Sequence, residues 1–118
     1  MIDNTSMDNH FVEAGDGESI DELLRRSHEQ PLVIFKHSLT CSLSADAYEE
    51  MTRFHGRVVL VPVQKARNLS REIENKTGIA HQSPQVIVLF RGAVVWNASH
   101  WEVRAKAVAE ALRSLGCT

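Results

Sequence analysis

A single cysteine, Cys41, lies in the segment FKHSLTCSLS, between an apolar run that ends at Phe35 and a stretch with helical spacing over 42–55. A thiol in the first turn of a helix lies near backbone N–H groups that lack partners within the helix and carry partial positive charge. These groups favour the thiolate, which is the nucleophilic form, and so lower the pKa of the cysteine. The sequence therefore predicts a reactive thiol at Cys41, and Lys36 and His37 are expected to add positive potential.

Alternating helical and apolar stretches surround this cysteine. The spacing of apolar residues and the turn residues between them predict helices over 18–30, 42–55, 66–78 and 100–116, and strands over 32–35, 57–63, 85–90 and 93–98. This order predicts an α/β domain with a thioredoxin-like fold, in which helices flank a four-stranded mixed sheet and an extra helix precedes it. We expect residues 1–15 to form a flexible N-terminal arm and residues 16–118 to form the domain.

This chain order brings polar residues from separate segments to one end of the sheet. Strand 85–90 is predicted to run antiparallel to strand 32–35, so it begins where that strand ends, and strand 93–98 returns to the same end. We predict that seven residues gather near Cys41 as candidate substrate-binding groups. They are Lys36, His37, His81, Ser83, Pro84, His100 and Trp101. Proline at this point of thioredoxin-like domains follows a cis peptide bond. Trp101 also falls on the inner stripe of the last predicted helix, which favours a packing role for it.

Three segments in combination carry a resemblance to a known family: K-H-S…C-x-x-S at the cysteine, G-I-x-H-x-S-P-Q over 78–85 and W-x-A-S-H-W over 96–101. Together they resemble the monothiol bacilliredoxin (YtxJ-like) family of the thioredoxin-like superfamily, from about residue 18 to the C-terminal helix. The resemblance implies a bacterial thiol–disulfide oxidoreductase that removes bacillithiol from S-thiolated proteins. It places the reactive cysteine at Cys41, its serine partner at Ser44 and the cis-proline at Pro84.

The resemblance implies an exchange through a mixed disulfide on Cys41, with bacillithiol or a similar small thiol as co-substrate and without a bound cofactor. A cysteine in place of Ser44 would trap Cys41 in an internal disulfide, whereas serine leaves the mixed disulfide open to an external thiol. Its hydroxyl can also donate a hydrogen bond to the thiolate. Cys117 is expected at the far end of the last helix, roughly 22 Å away, beyond the roughly 7 Å between Cα atoms that a disulfide allows.

Composition excludes several other classes of function. The net charge of −2 gives no basic excess for nucleic acid, and the longest apolar run, Val86 to Phe90, is too short to cross a membrane. The N-terminus lacks the pattern of a secretory signal, so we expect a cytoplasmic protein. Two alternatives stay open: a non-enzymatic thioredoxin-like binding module, and a metal or iron–sulfur carrier with ligands among His37, Cys41, His81 and His100. A single cysteine at that end cannot build a four-cysteine cluster site, and the preferred interpretation, an oxidoreductase, includes no metal site.

Overall fold

Five strands form one mixed sheet in the order β1-β3-β2-β4-β5. The structure is a computed structural model that describes residues 10–116, so the predictions for Cys117 lie outside the described residues. The strands are β1 (Phe11–Glu13), β2 (Leu32–His37), β3 (Val58–Pro62), β4 (Gln85–Phe90) and β5 (Ala93–Ser99). The helices are α1 (Ile20–Arg26), α2 (Ser42–Met51), α3 (Arg67–Thr77) and α4 (Ala105–Arg113), with a 3₁₀ helix over His100–Glu102.

The prediction of four strands is wrong, because a short fifth strand lies at one edge of the sheet. Phe11–Glu13, which the sequence analysis assigned to the N-terminal arm, pairs in parallel with β3 from Val58 to Leu60. The N–H of Ala14 extends this pairing by donating to the carbonyl of Leu60 at 2.8 Å. The predicted N-terminal helix is α1, and it follows this strand rather than leading the fold. Three residues are too few for a strand period to be recognised in the sequence.

The two faces of the sheet are covered by different helices. Ile34, Val59 and Ile87 face α1 and α3, whereas Phe35 and Val86 face α2 and α4. The central strands are therefore buried on both sides, which explains their nearly continuous apolar sequences. Burying one such side chain contributes about 1.5–3 kcal/mol, so these two layers hold the sheet and its loops in place.

The strand register brings several chain segments to one end of the sheet. β2 and β3 are parallel and end side by side, with His37 opposite Pro62. β4 is antiparallel to β2 and begins there, with Gln85 opposite Lys36, and β5 finishes there, with Ser99 opposite Gln85. We call this end, which precedes α2 and its N-terminal Cys41, the Cys41 end.

The C-terminal helix begins later than predicted. A 3₁₀ turn starts at His100, whose φ of 58° lies in the left-handed region, and Val103 is extended, so the α-helical hydrogen bonds begin only near Ala105. Trp101 is 73% exposed and lies on the 3₁₀ turn rather than on the inner stripe of the helix. The packing role predicted for Trp101 is therefore wrong.

Candidate active site

Cys41 is the N-cap residue of α2. Its backbone is extended, with φ of −105° and ψ of 129°, and the helix begins at the next residue. The side chain is partly exposed and unpaired with any other cysteine among residues 10–116. A thiol in this position lies beside the N–H groups of the first helical turn and is still accessible to a reactant in solvent.

Hydrogen-bond donors of α2 lower the pKa of the Cys41 thiol. The largest contribution is the backbone N–H of Ser44. Burial is the second influence and opposes it, and the N–H of Leu43 and the hydroxyl of Ser44 add to the lowering. As a thiol, Cys41 accepts no capping hydrogen bond, because a neutral sulfur is a weak acceptor, so these donors act chiefly on the thiolate. Lys36 and His37, which were expected to add positive potential, are not among the groups that lower this pKa.

The Ser44 side chain is buried under the loop that carries Cys41. Its exposed fraction is 0%, and its hydroxyl oxygen accepts a hydrogen bond from the N–H of Ser38 at 3.1 Å. Because the oxygen accepts this bond, its own proton can be donated to the Cys41 sulfur. Ser44 thus connects the loop before the cysteine to the helix after it.

Gln64, which was not among the predicted site residues, holds the same loop from the other side. Its side-chain oxygen accepts from the N–H of Leu39 at 3.0 Å, and its amide nitrogen donates to the Ser38 hydroxyl at 2.9 Å. Gln64 lies two residues after the end of β3, which runs parallel to β2. The signal available in the sequence was that side chains after the carboxyl ends of neighbouring parallel strands meet at one edge of the sheet.

The segment before β4 lies at the Cys41 end, as the predicted chain order required. The Ser83–Pro84 peptide bond is cis, Pro84 is buried and Ser83 is partly buried. The carbonyl of Pro84 accepts from the N–H of His100 at 2.9 Å, which links the start of β4 to the 3₁₀ turn after β5. That turn packs against α2.

Lys36 is buried completely and does not present its charge to solvent. It lies on the face of the sheet that α3 covers, and its Nζ is 3.5 Å from the carbonyl oxygen of Ser70. Burial lowers its pKa from 10.5 to about 8, although the Glu74 carboxylate works in the opposite direction. A direct contact between Lys36 and a substrate would need this cover to move.

The two histidines on either side of the sheet have different surroundings. His37 is partly buried with its ring centroid 5.2 Å from that of Tyr48, and burial lowers its pKa, so it is mainly neutral near pH 7. His81 is exposed on the α3 side, where its Nδ1 lies 3.4 Å from the Ser70 hydroxyl. Burial is the first cause that lowers the pKa of His81, and the charge of Lys36 is the second.

A sequence comparison assigns this arrangement of residues to a family. The sequence profile of monothiol bacilliredoxin BrxC matches residues 14–108, which include Cys41, Ser44 and Pro84. The chain belongs to the monothiol bacilliredoxin BrxC family. The resemblance noted from the three sequence segments is therefore confirmed.

Solved structures similar to this bacilliredoxin-family chain have the thioredoxin fold. One, proposed in its description to be an oxidoreductase with a thioredoxin fold, has 30% identity and a TM-score of 0.78, covering 89% of this chain and 96% of its own. The Schistosoma mansoni thioredoxin pre-protein in its reduced form has 17% identity and a TM-score of 0.63, with 89% and 97% coverage. Oxidised mitochondrial thioredoxin 3 from Saccharomyces cerevisiae has 13% identity and a TM-score of 0.65, with 88% and 94% coverage. The last two support the fold alone.

Two further observations concern residues 10–116 only. No group of three or more His, Cys, Asp or Glu side chains in this range is arranged to hold a metal ion. None of the helices in the same range is both long enough and apolar enough to cross a bilayer.

Proposed function

We propose that the protein is a monothiol thiol–disulfide oxidoreductase that removes a low-molecular-weight thiol, bacillithiol or a similar one, from S-thiolated proteins. The observation that carries the proposal is the placement of Cys41 at the N-terminus of α2, with hydrogen-bond donors that lower its pKa and with serine in place of a second thiol. Membership of the bacilliredoxin family supports the same chemistry.

In the first step, the Cys41 thiolate attacks the small-thiol sulfur of the mixed disulfide on the substrate protein. A new bond forms between Cys41 and the small thiol, the original disulfide breaks, and the substrate cysteine leaves as a thiolate that takes a proton from solvent. Oxidation is transferred with the small thiol, so no external electron donor enters this step. The donors from Ser44 and Leu43 stabilise the thiolate before attack.

In the second step, another molecule of the small thiol regenerates Cys41. Its thiolate attacks the small-thiol sulfur bound to Cys41, the Cys41 thiolate leaves, and a symmetrical small-molecule disulfide is released. The net change consumes one molecule of free small thiol, which ends in a disulfide with the small thiol that the substrate carried, and the substrate cysteine is reduced. Because Ser44 cannot form a disulfide, the mixed intermediate persists until the external thiol arrives.

The substrate protein would approach across the exposed side chains around the thiol. Leu39 is 54% exposed in the loop before Cys41, and Trp101 is 73% exposed on the 3₁₀ turn that packs against α2. Ser83 and His100 are partly exposed at the same end of the sheet and complete the proposed binding surface. Pro84 is buried beneath them and holds His100 through the hydrogen bond to its carbonyl. Exposed aromatic side chains supply large contact areas in protein recognition. Trp101 is exposed and not packed in the core, so it is available to contact the substrate protein.

The test is transfer of the small thiol from a substrate protein to Cys41. Model proteins S-thiolated with bacillithiol, glutathione or cysteine are each incubated with the wild type and with the Cys41→Ser and Cys117→Ser variants, and intact masses are recorded before and after the matching reduced thiol is added. We expect one adduct on Cys41 in the wild type and in Cys117→Ser, reversed by the reduced thiol, and no release of substrate by Cys41→Ser. Failure of the wild type to accept the adduct from any of bacillithiol, glutathione or cysteine would refute the proposal and favour a binding module.

A further inference from the structure

An open cavity of about 390 Å³ lies beside the loop that carries Cys41. It is formed where β3 ends and α3 begins, and neither step of the proposed exchange uses it. The residues that line it are Val63, Gln64, Arg67, Ser70, Arg71, Glu74 and His81. Its position and its charged side chains make it the part of the molecule best suited to hold the remainder of a small thiol whose sulfur is at Cys41.

The cavity borders the Cys41 loop at Gln64. This side chain lines the cavity and also makes hydrogen bonds to the backbone N–H of Leu39 and to the Ser38 hydroxyl. Leu39 is two residues from Cys41, and two residues of extended chain span at most roughly 7 Å. The amide nitrogen of Gln64 also lies 3.4 Å from the hydroxyl of Thr40, the residue next to Cys41. One side chain therefore lies between the Cys41 loop and the cavity, a gap that a molecule the size of a tripeptide can span.

Two arginines at the cavity occupy positions in α3 that are unfavourable for positive charge. Arg67 is the first residue of α3 and Arg71 follows one turn later. Like charges at this spacing disfavour a helix, and positive charge is unfavourable at a helix N-terminus. Among the ion pairs found within residues 10–116, none includes either arginine. A local conflict of this kind, with no ion-pair partner among the described residues, is expected where a ligand supplies the opposite charge.

The backbone N–H groups at the start of α3 are already occupied. Asp16 Oδ1 accepts from the N–H groups of Asn68 and Leu69 at 3.1 and 3.2 Å. The available donors for an anion are therefore the guanidinium groups of Arg67 and Arg71, which suit the two oxygens of a carboxylate.

A positively charged residue also lies beneath the cavity. Lys36 is buried there, in contact with the carbonyl of Ser70. The one acidic residue of the lining, Glu74, accepts a hydrogen bond from the N–H of His81 at 3.1 Å and also interacts with the charge of Lys36. With two arginines on the surface and one lysine below, the cavity has an excess of positive charge.

We propose that this cavity binds a carboxylate of the small thiol that exchanges at Cys41, with Arg67 and Arg71 as the groups that hold it. The inference rests on the proposed function and specifies its co-substrate: an anionic thiol, selected over neutral and cationic ones. The arginines are specificity-determining residues, because they contact the carboxylate and not the reacting sulfur.

The test compares two small disulfides that react with the same thiol. Glutathione disulfide carries carboxylates and hydroxyethyl disulfide carries no charge, and the rate of adduct formation on Cys41 is measured by mass spectrometry for each. In the double variant Arg67→Gln/Arg71→Gln, we expect the rate with glutathione disulfide to fall by about tenfold, the size of two partly screened charge contacts. The rate with hydroxyethyl disulfide should be unchanged, which also shows that the variant is folded.

A matched control removes two exposed arginines at the opposite end of the sheet. Arg53→Gln/Arg57→Gln changes the net charge equally, close to the start of β3, and should leave the ratio of the two rates as in the wild type. If the cavity variant leaves that ratio unchanged, or the control lowers it equally, the cavity proposal is overturned while exchange at Cys41 stands. If neither disulfide modifies Cys41 in the wild type, the proposed function fails, and this inference fails with it.

Discussion

Replacing Ser44 with alanine tests the two roles of its hydroxyl separately. The oxygen accepts a hydrogen bond from the buried N–H of Ser38 at 3.1 Å, and the hydroxyl helps to lower the pKa of Cys41. Alanine fits the same buried position on α2 but can neither accept nor donate. The substitution should therefore weaken the fold and make the thiol less acidic.

The loss of stability follows from the Ser38 N–H. This group is buried and would be left without its acceptor, which costs about 1–3 kcal/mol. For a domain of this size each 1 kcal/mol lowers Tm by roughly 4 °C, so Ser44→Ala should melt about 4–12 °C below the wild type. Ser42→Ala is the matched control, because Ser42 lies in the same turn but is exposed to solvent.

The effect on the thiol should be partial. The pKa of Cys41 should rise on loss of the Ser44 hydroxyl but stay below its ordinary value, because the N–H of Ser44, the largest contribution, remains. The assay is urea unfolding and thermal melting for stability, with iodoacetamide alkylation against pH for the thiol. A Ser44→Ala protein that matches Ser42→Ala in both stability and alkylation midpoint would refute this account of the site.

Three further predictions concern the thiol and the buried lysine. In a Cys117→Ser background, the alkylation midpoint of Cys41 should be lower in the folded protein than in urea; equal midpoints would mean that α2 does not activate the thiol. Ser44→Cys should expel a small-thiol adduct and leave an internal disulfide, seen as about two mass units less than the reduced variant, since two hydrogens are lost; a persistent adduct would contradict the role given to serine. Because the pKa of Lys36 is lowered from 10.5 to about 8, the unfolded chain binds more protons between these values, so stability should rise by about 3 kcal/mol over this range. Lys36→Met should remove this rise and the exposed Lys65→Met should not, as measured by urea unfolding at each pH; a rise that survives in Lys36→Met would show that another group titrates.

Much of the site could be predicted from the sequence, because local features specify it. The position of Cys41 at the start of a helix depends on the apolar run before it and the helical spacing after it, and both are local. The convergence of Pro84 and His100 at the same end follows from the direction of consecutive strands, which short connections constrain.

The orientation of particular side chains could not be predicted in the same way. All residues from Leu32 to Lys36 in β2 are buried, so no alternation in the sequence indicates which face each one takes. Lys36 is covered because α3 lies over its face, and Trp101 is exposed because His100 adopts a left-handed conformation that starts a 3₁₀ turn. Both depend on contacts between elements that are distant in the chain.

The sequence by itself determined the α/β order, the family, and the placement of Cys41 at a helix N-terminus with Ser44 in place of a second thiol. Each of these depends on residue types and spacings within a short segment, or on a combination of such segments. Only the tertiary structure decided that Phe11–Glu13 adds a fifth strand and that Gln64, Arg67 and Arg71 border the cysteine loop. The physical reason is that an edge strand of three residues and a cavity between two elements both arise from long-range packing, which local propensity does not encode.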